Sequence, residues 1–311
     1  ITTSGEVNLP NNYIHFTDID LVLSQTKGQI HFINDNISAS GITAQLFDQP
    51  ITASLQANND ANGYVTNVGL SGRWDMAKLA ALANSDYTQA VSGSANWTGS
   101  LDLAFAQDDM NYSFSVASDL VGVNQYLPAP LNKTADEIVP LSIVISGNAL
   151  ASEVNASFGD DVRFVGALPH KEKQFSRAHL ALGQSDFEGM GVGFSISAAL
   201  PTLDVTAWYQ TLDLLLSGMS QSEHPLFGTP ERIFMDIEQM TFANQSINRV
   251  NAIAKQADDN WQINLNAQEA RATIKLFNDW LGNGIDIQAD YINFSEWNSA
   301  PNPQEHTSDN R

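Results

Sequence analysis

The sequence has no cysteine among its 311 residues. Disulfide bonds, thiolate metal sites and cysteine-based catalysis are therefore all excluded. Cations are also scarce, with 14 Lys and Arg against 35 Asp and Glu, so the formal net charge is −21. Nucleic acid is excluded as a partner, because phosphate binding requires clustered cations. The same charge disfavours simple electrostatic docking to an anionic membrane surface.

Charged residues of both signs make up only 16% of the chain, whereas hydrophobic residues make up 43%. Ser, Thr, Asn and Gln supply the remaining polarity, and these short side chains suit the solvated face of a sheet better than a helix surface. Long hydrophobic runs are missing as well. Uncharged stretches such as residues 189–203 are too short to cross a membrane as a helix and contain several Gly and Ser residues.

Alternation of apolar and polar residues is the dominant pattern in the chain. It occurs in residues 51–56, 112–116, 192–197, 233–238, 261–268 and 285–291. Because successive side chains of a strand point to opposite faces, each segment predicts a strand with one apolar and one polar face. Asn-, Asp- and Gly-rich turns separate these runs, which predicts consecutive antiparallel hairpins. Roughly 16 to 18 strands at about 4.8 Å spacing would form a sheet about 80 Å long.

Two short helices interrupt the strands. Asp75 is placed to cap a helix that begins at Met76, and Asp204 is placed to cap residues 205–216. Both follow strand-like sequence, which suggests a module of hairpins plus one helix used twice, about residues 1–130 and 131–298. Residues 1–298 are then one continuous repeating β-groove, and the polar tail 299–311 is expected to be disordered.

The fold class predicted from these patterns is mostly β. It is a long, curled antiparallel meander sheet that forms an open hydrophobic groove, a half-barrel, with two short helices. The alternative is a closed sandwich, in which a second layer seals the apolar faces. Two helices offer little cover for so long a sheet, which favours the groove. The residues predicted to line it are Tyr112, Phe114, Val116, Ile143, Ile145, Val192, Phe194, Ile196, Trp261, Ile263, Leu265, Ile285 and Ile287.

No motif for catalysis, metal binding or cofactor binding is found in the sequence, so neither an enzyme nor a cofactor is predicted. A basic cluster does stand out from the acidic background. It consists of Arg163, Lys171, Lys173 and Arg177. Beside an apolar groove it could contact a lipid phosphate. A solubilising turn is the simpler interpretation of the same residues.

Several segments resemble one family of bacterial envelope proteins. They are Gly72-Arg-Trp74-Asp, residues 93–103 (GSANWTGSLDL), Ser118-Asp-Leu120, Leu127-Pro-Ala-Pro-Leu-Asn-Lys133 and Leu203-Asp-Val-Thr-Ala-Trp208. Together they are similar to the C-terminal part of YhdP-like proteins, which belong to the AsmA-like group. The loop at residues 127–133 followed by Leu-Asp-x-x-x-Trp is the most specific of them.

This resemblance implies a periplasmic protein that is anchored in the inner membrane by a part outside the present sequence. It further implies a repeating β-groove that conducts phospholipid between the inner and outer membranes. The partners would be phospholipid and, through other parts of the protein, the two membranes. A structural or adhesive β-sandwich or solenoid that binds protein or glycan is the alternative function.

Overall fold

A computed structural model describes residues 1–17, 21–60, 63–82, 86–106, 109–184, 191–216, 226–242 and 245–293. The predicted tail at residues 299–311 lies outside these ranges. Strands dominate the fold, as the alternation predicted. The strands are β1 (Ser4–Phe16), β2 (Leu21–Ile33), β3 (Asn36–Leu46), β4 (Gln49–Asp60), β5 (Gly63–Asp75), β6 (Val91–Ala106), β7 (Asp109–Ser118), β8 (Val123–Gln125), β9 (Leu141–Asn148), β10 (Ala151–Phe158), β11 (Val162–Pro169), β12 (Arg177–Gly183), β13 (Gly193–Asp204), β14 (Arg232–Phe242), β15 (Gln245–Gln256), β16 (Asn260–Asn266), β17 (Ala270–Phe277) and β18 (Ile285–Ile292).

The strands form one long sheet in which nearly every strand pairs with the next along the chain. The short strand β8 is the exception: it pairs beside β6, so that β7 pairs directly with β9. Each outermost strand pairs on one side, β1 with β2 and β18 with β17, and the sheet does not close into a barrel. The predicted fold class is therefore confirmed.

Two pairings differ from the antiparallel meander, because β13 runs parallel to both β12 and β14. The strands β12, β13 and β14 therefore all begin at the same margin of the sheet. The alternation in residues 192–197 identified β13 but carried no information about its direction. The strand also begins at Gly193, after Val192.

Both predicted helices begin where their capping residues indicated. The helix α1 (Met76–Leu82) follows β5 directly, and the Asp75 Oδ1 accepts the backbone N–H of Ala77 at 3.0 Å. The helix α2 (Val205–Leu216) follows β13 in the same way, and the Asp204 Oδ1 accepts the backbone N–H of Ala207 at 2.9 Å. The chain also forms a 3-10 turn (Asp86–Gln89) and a one-turn helix α3 (Trp280–Asn283).

The buried core lies along one margin of the sheet, which we call the closed margin. It is the margin where β5 and β13 end and where α1, α2 and residues 119–140 pack. Three clusters of buried side chains occupy it, and Trp208 of α2 and Leu131 pack against the first of them. Ala80 of α1 belongs to the second, and Trp97 of β6 belongs to the third. The opposite strand ends form the open margin.

Residues 127–133, the most family-like loop, are held at the closed margin by a buried lysine. Lys133 is only 2% exposed, and its ammonium group donates to the carbonyl oxygens of Val123 at 3.1 Å and Thr134 at 2.7 Å. Gln125 and Lys133 also exchange two backbone hydrogen bonds. Burial lowers the pKa of Lys133 from its ordinary value, against the opposing effect of nearby carboxylates such as Glu137. The lysine thus fixes the loop.

A buried polar group lies between the parallel strands, on the face opposite to the apolar one. His179 of β12 is 4% exposed. Its Nδ1 lies 2.8 Å from the Ser195 Oγ and its Nε2 lies 2.9 Å from the Ser197 Oγ, both on β13. Burial lowers the pKa of His179 from 6.5, because it disfavours the charged imidazolium.

We expect Asp204→Ala to lower the free energy of unfolding by about 1 kcal/mol, because the first turn of α2 loses its cap. Asp204→Asn is the matched control, since its amide oxygen can still accept the hydrogen bond, and it should lose much less. Urea unfolding followed by circular dichroism measures both. Equal losses in the two variants would contradict the capping role.

We also expect protonation of His179 to destabilise the fold. As the pH falls through about 6.5, the unfolded chain binds a proton at this histidine that the folded chain does not, so unfolding becomes easier. Between about pH 7 and pH 5 the wild type should lose stability relative to His179→Gln, which cannot titrate there. Urea unfolding at several pH values measures the difference. Parallel stability curves for the two proteins would contradict this expectation.

Candidate functional site

The strand pairing aligns one row of directly opposite apolar residues across the sheet, which we call the central row. Every strand from β3 to β18 except β8 contributes one residue to it. In spatial order the row is Ile42, Ala53, Leu70, Gly99, Val116, Ile143, Ala156, Phe164, Leu180, Ile196, Ile233, Ala254, Ile263, Ile274 and Ile287. Further rows on the same face run parallel to it. The face is therefore apolar across the whole of that span.

The neighbouring row on the opposite face is mostly polar. In spatial order it is Ser54, Gly69, Ser100, Ser115, Val144, Asn155, Val165, His179, Ser195, Arg232, Lys255, Gln262, Lys275 and Asp286. Ser100 and Ser115, for example, lie opposite each other with their hydroxyl oxygens 2.9 Å apart. The short polar residues that dominate the composition thus cover one side of the sheet, as the alternation predicted.

The apolar face is not sealed. Every member of the central row is half-buried except Ala254, which is buried, and Ile287, which is 52% exposed. A sandwich core would bury such residues against a second sheet, and no second sheet covers this face in the part of the chain that the structure describes. Along the central row the face is therefore a continuous, partly exposed apolar surface, with the closed margin on one side and the open margin on the other.

Nearly all the predicted groove residues lie on this face. Tyr112, Phe114 and Val116 are on β7, Ile143 and Ile145 on β9, Phe194 and Ile196 on β13, Trp261, Ile263 and Leu265 on β16, and Ile285 and Ile287 on β18. Val192 does not join them, because it precedes β13 and is 70% exposed.

Sequence reasoning missed the apolar face of several strands. Leu70, Phe164 and Ile274 belong to the central row, and none was selected. Small residues such as Ala156 and Ala254 break the pattern of large apolar side chains and hide the strands around them. A search that counted alanine as apolar would have found β17, which alternates as Ala270-Arg-Ala-Thr-Ile-Lys-Leu276.

The structure splits the predicted basic cluster. Lys171 and Lys173 lie in the turn between β11 and β12 at the open margin, and Arg177 starts β12 beside them. Arg163 is opposite Ala181, which is four residues further along β12 than Arg177, or about 13 Å away. Arg163 therefore lies near the closed margin, on the polar face, and does not share a site with the other three.

Polar side chains meet the apolar face at the open margin, next to this turn. The Ser152 Oγ lies 2.7 Å from the His170 Nε2. The Tyr112 hydroxyl hydrogen-bonds with Ser152 and lies 3.3 Å from the same ring nitrogen. The His170 Nδ1 is 3.1 Å from the carbonyl oxygen of Ala149. The phenol of Tyr112 thus marks where the apolar surface gives way to a hydrogen-bonding rim.

The described ranges lack two kinds of feature. They contain no group of three or more His, Asp or Glu side chains placed to hold a metal ion. Across the same ranges, no helix has both the length and the apolar character to span a bilayer.

The chain was compared with known proteins. The family described as "YhdP protein" matches residues 1–311. The chain is 26% identical over 288 residues to the intermembrane phospholipid transporter YhdP of Escherichia coli (strain K12). That match covers 91% of the present chain and 22% of the relative, so the chain spans about a fifth of the relative's length. No solved structure matches the chain.

An open apolar face should bind an apolar fluorescent dye in the folded protein, and we expect Val116→Asp to weaken that binding, because it places a charge in the central row. Ser115→Asp is the matched control, since the neighbouring residue points to the polar face and should leave dye binding unchanged. Fluorescence titration measures the binding, and circular dichroism checks that both variants are folded. A wild-type chain that stays dark would show that the face is sealed.

Proposed function

This chain belongs to the YhdP family, and from that premise we propose that it is a periplasmic groove segment that conducts phospholipid between the inner and outer membranes. The lipid tails lie along the apolar face of the sheet, while the head group remains in solvent at the open margin. No catalytic step and no cofactor are part of this proposal. The relative's printed name, an intermembrane phospholipid transporter, supports phospholipid as the cargo.

The observation that carries the proposal is the central row, which is apolar from β3 to β18 and only half-buried along almost its entire length. Transfer of lipid tails through water costs about 0.8 kcal/mol per CH₂, or roughly 25 kcal/mol for two chains of about 16 carbons. A continuous apolar surface keeps the tails covered at each step. Contacts to such a surface are dispersive and without direction, so a lipid can slide from strand to strand.

The open margin is suited to the head group. Lys171, Lys173 and Arg177 lie there and are exposed, and the Tyr112 hydroxyl is at the same rim. A phosphate passing this point could accept hydrogen bonds from the cations. Arg163, near the other margin, has no part in this contact. Because the net charge is −21, these few cations would offer local contacts within a strongly acidic molecule.

The match covers 22% of the relative's length. We propose that the inner-membrane anchor and the contacts with both membranes are supplied by other parts of a longer protein. We propose that residues 1–298 form one stretch of a longer groove, built from two modules at about 1–130 and 131–298. The helices support this division, since α1 and α2 each follow a long strand that ends in a capping aspartate.

A photoreactive residue at Ile263 or Phe194 should capture phospholipid when the chain is incubated with phosphatidylethanolamine and phosphatidylglycerol vesicles. The same residue at Gln262, which is adjacent to Ile263 on the polar face, should capture little, because tails contact only the apolar face. Mass spectrometry of the adducts identifies the lipid. Capture at Gln262 without capture at Ile263 or Phe194 would overturn the proposed function and leave an adhesive or structural role as the better explanation.

A further inference from the structure

The open width of the apolar face changes along the sheet. On β5 the apolar-face residues at alternate positions from Tyr64 to Trp74 are all half-buried, so the face is open across the whole strand. Among the apolar-face residues of β12, only Leu180 is half-buried. Ala178 is 0% exposed and Leu182 is 6% exposed. The face thus narrows to the central row at β12.

On the side of the closed margin, packed side chains cover the apolar face and account for the narrowing there. Leu182 belongs to the first core cluster together with Val162 of β11 and Ala198 of β13. Leu131 of the family-like loop and Trp208 of α2 pack against that cluster. Because Lys133 and the Asp204 cap fix these two elements, this side is rigidly built.

On the side of the open margin, four phenylalanine rings cover the apolar face. Phe164 of β11 and Phe194 of β13 rise from the sheet, and two rings from outside the strands lie on them. Phe175 and Phe227 are stacked with centroids 4.9 Å apart, and Phe175 meets Phe164 edge-on at 5.3 Å. Phe227 also contacts Phe164 at 5.6 Å and Phe194 at 5.5 Å. The two rings from outside the strands are therefore in direct contact with the two rings that project from the sheet.

A glycine in β11 permits the contact between the Phe175 ring and the sheet. Gly166 of β11 faces the apolar side, and a Cβ placed there would lie 2.7 Å from the Phe175 ring. The ring can therefore lie flat on the strand backbone. Phe175 and Phe227 come from two separate segments, the turn between β11 and β12 and the segment that precedes β14. The Phe175 backbone N–H donates to the carbonyl oxygen of Leu226 at 2.9 Å and joins the two segments.

From this arrangement we infer that Phe175 and Phe227 form a gate at one side of the groove, which lifts from Phe164 and Phe194 to widen the apolar face so that both acyl chains of a lipid can pass β12. The inference rests on the proposed function, because it concerns passage along the same groove. The turn that carries Phe175 is lightly held: residues 171–174 are all exposed, and a few ring contacts and hydrogen bonds attach it to the sheet. Aromatic contacts of this kind are individually weak and reversible.

The lack of native cysteine allows a direct test. Gly166→Cys and Phe175→Cys together place one thiol on β11 and one on the gate, at a point where a Cβ on residue 166 would lie 2.7 Å from the Phe175 ring, so oxidation should tie the gate to the sheet and reductant should release it. A diazirine side chain is introduced at Leu180, in the narrow section beside the gate, or in a separate chain at Val116, in the open section. Lipid capture from phosphatidylethanolamine and phosphatidylglycerol vesicles is then measured in both oxidation states.

We expect oxidation to reduce capture at Leu180 by roughly tenfold, a factor equivalent to about one aromatic pair contact, and reduction to restore it, with capture at Val116 unchanged. Phe175→Ala with Phe227→Ala should raise capture at Leu180 above the wild-type level. The oxidised and reduced forms are the same folded chain, so a folding defect cannot mimic the result. Single-cysteine variants control for oxidation itself.

The outcomes separate this inference from the function on which it rests. If Val116 captures lipid and Leu180 captures equally in the oxidised, reduced and alanine forms, the gate is wrong while the groove stands. If Val116 captures no lipid in any form, the proposed function fails.

Discussion

The apolar side chains of a strand stay on one face of the sheet only if the strand keeps its pairing register. A slip of a single residue turns every side chain of that strand to the other face. The central row holds from Ile42 to Ile287 because each pairing places an apolar residue opposite an apolar neighbour, and the next position is mostly polar. The continuity of the surface is a property of the register as a whole, and one misaligned strand would interrupt it.

An apolar face left open this widely forgoes part of the burial that normally stabilises a domain. The structure places its burial elsewhere, in the three core clusters along the closed margin, where α1, α2 and the loop fixed by Lys133 pack. The buried side chains that stabilise the fold and the exposed apolar surface therefore lie at different ends of the same strands. The net charge of −21 supplies the repulsion that keeps molecules with such a face apart.

Local sequence signals predicted local structure well. Asp75 and Asp204 identified both helix starts, because a capping side chain acts on backbone groups two or three residues away. Alternation placed Val116 and Ile263 on the correct face for the same reason. Strand direction at β13, the separation of Arg163 from Lys171, and the contact of Phe175 with Phe227 depend on residues distant in sequence. No local pattern encodes these features, and in strands such as β15 the alanines Ala252 and Ala254 stand where large apolar side chains would make alternation visible.

Both outermost strands of the sheet, β1 and β18, pair on one side within the described residues. Length in such an architecture is independent of cross-section, because each added hairpin extends the sheet by about 10 Å and repeats the same profile. Duplication or deletion of hairpins would therefore change the length of such a sheet without changing its apolar face.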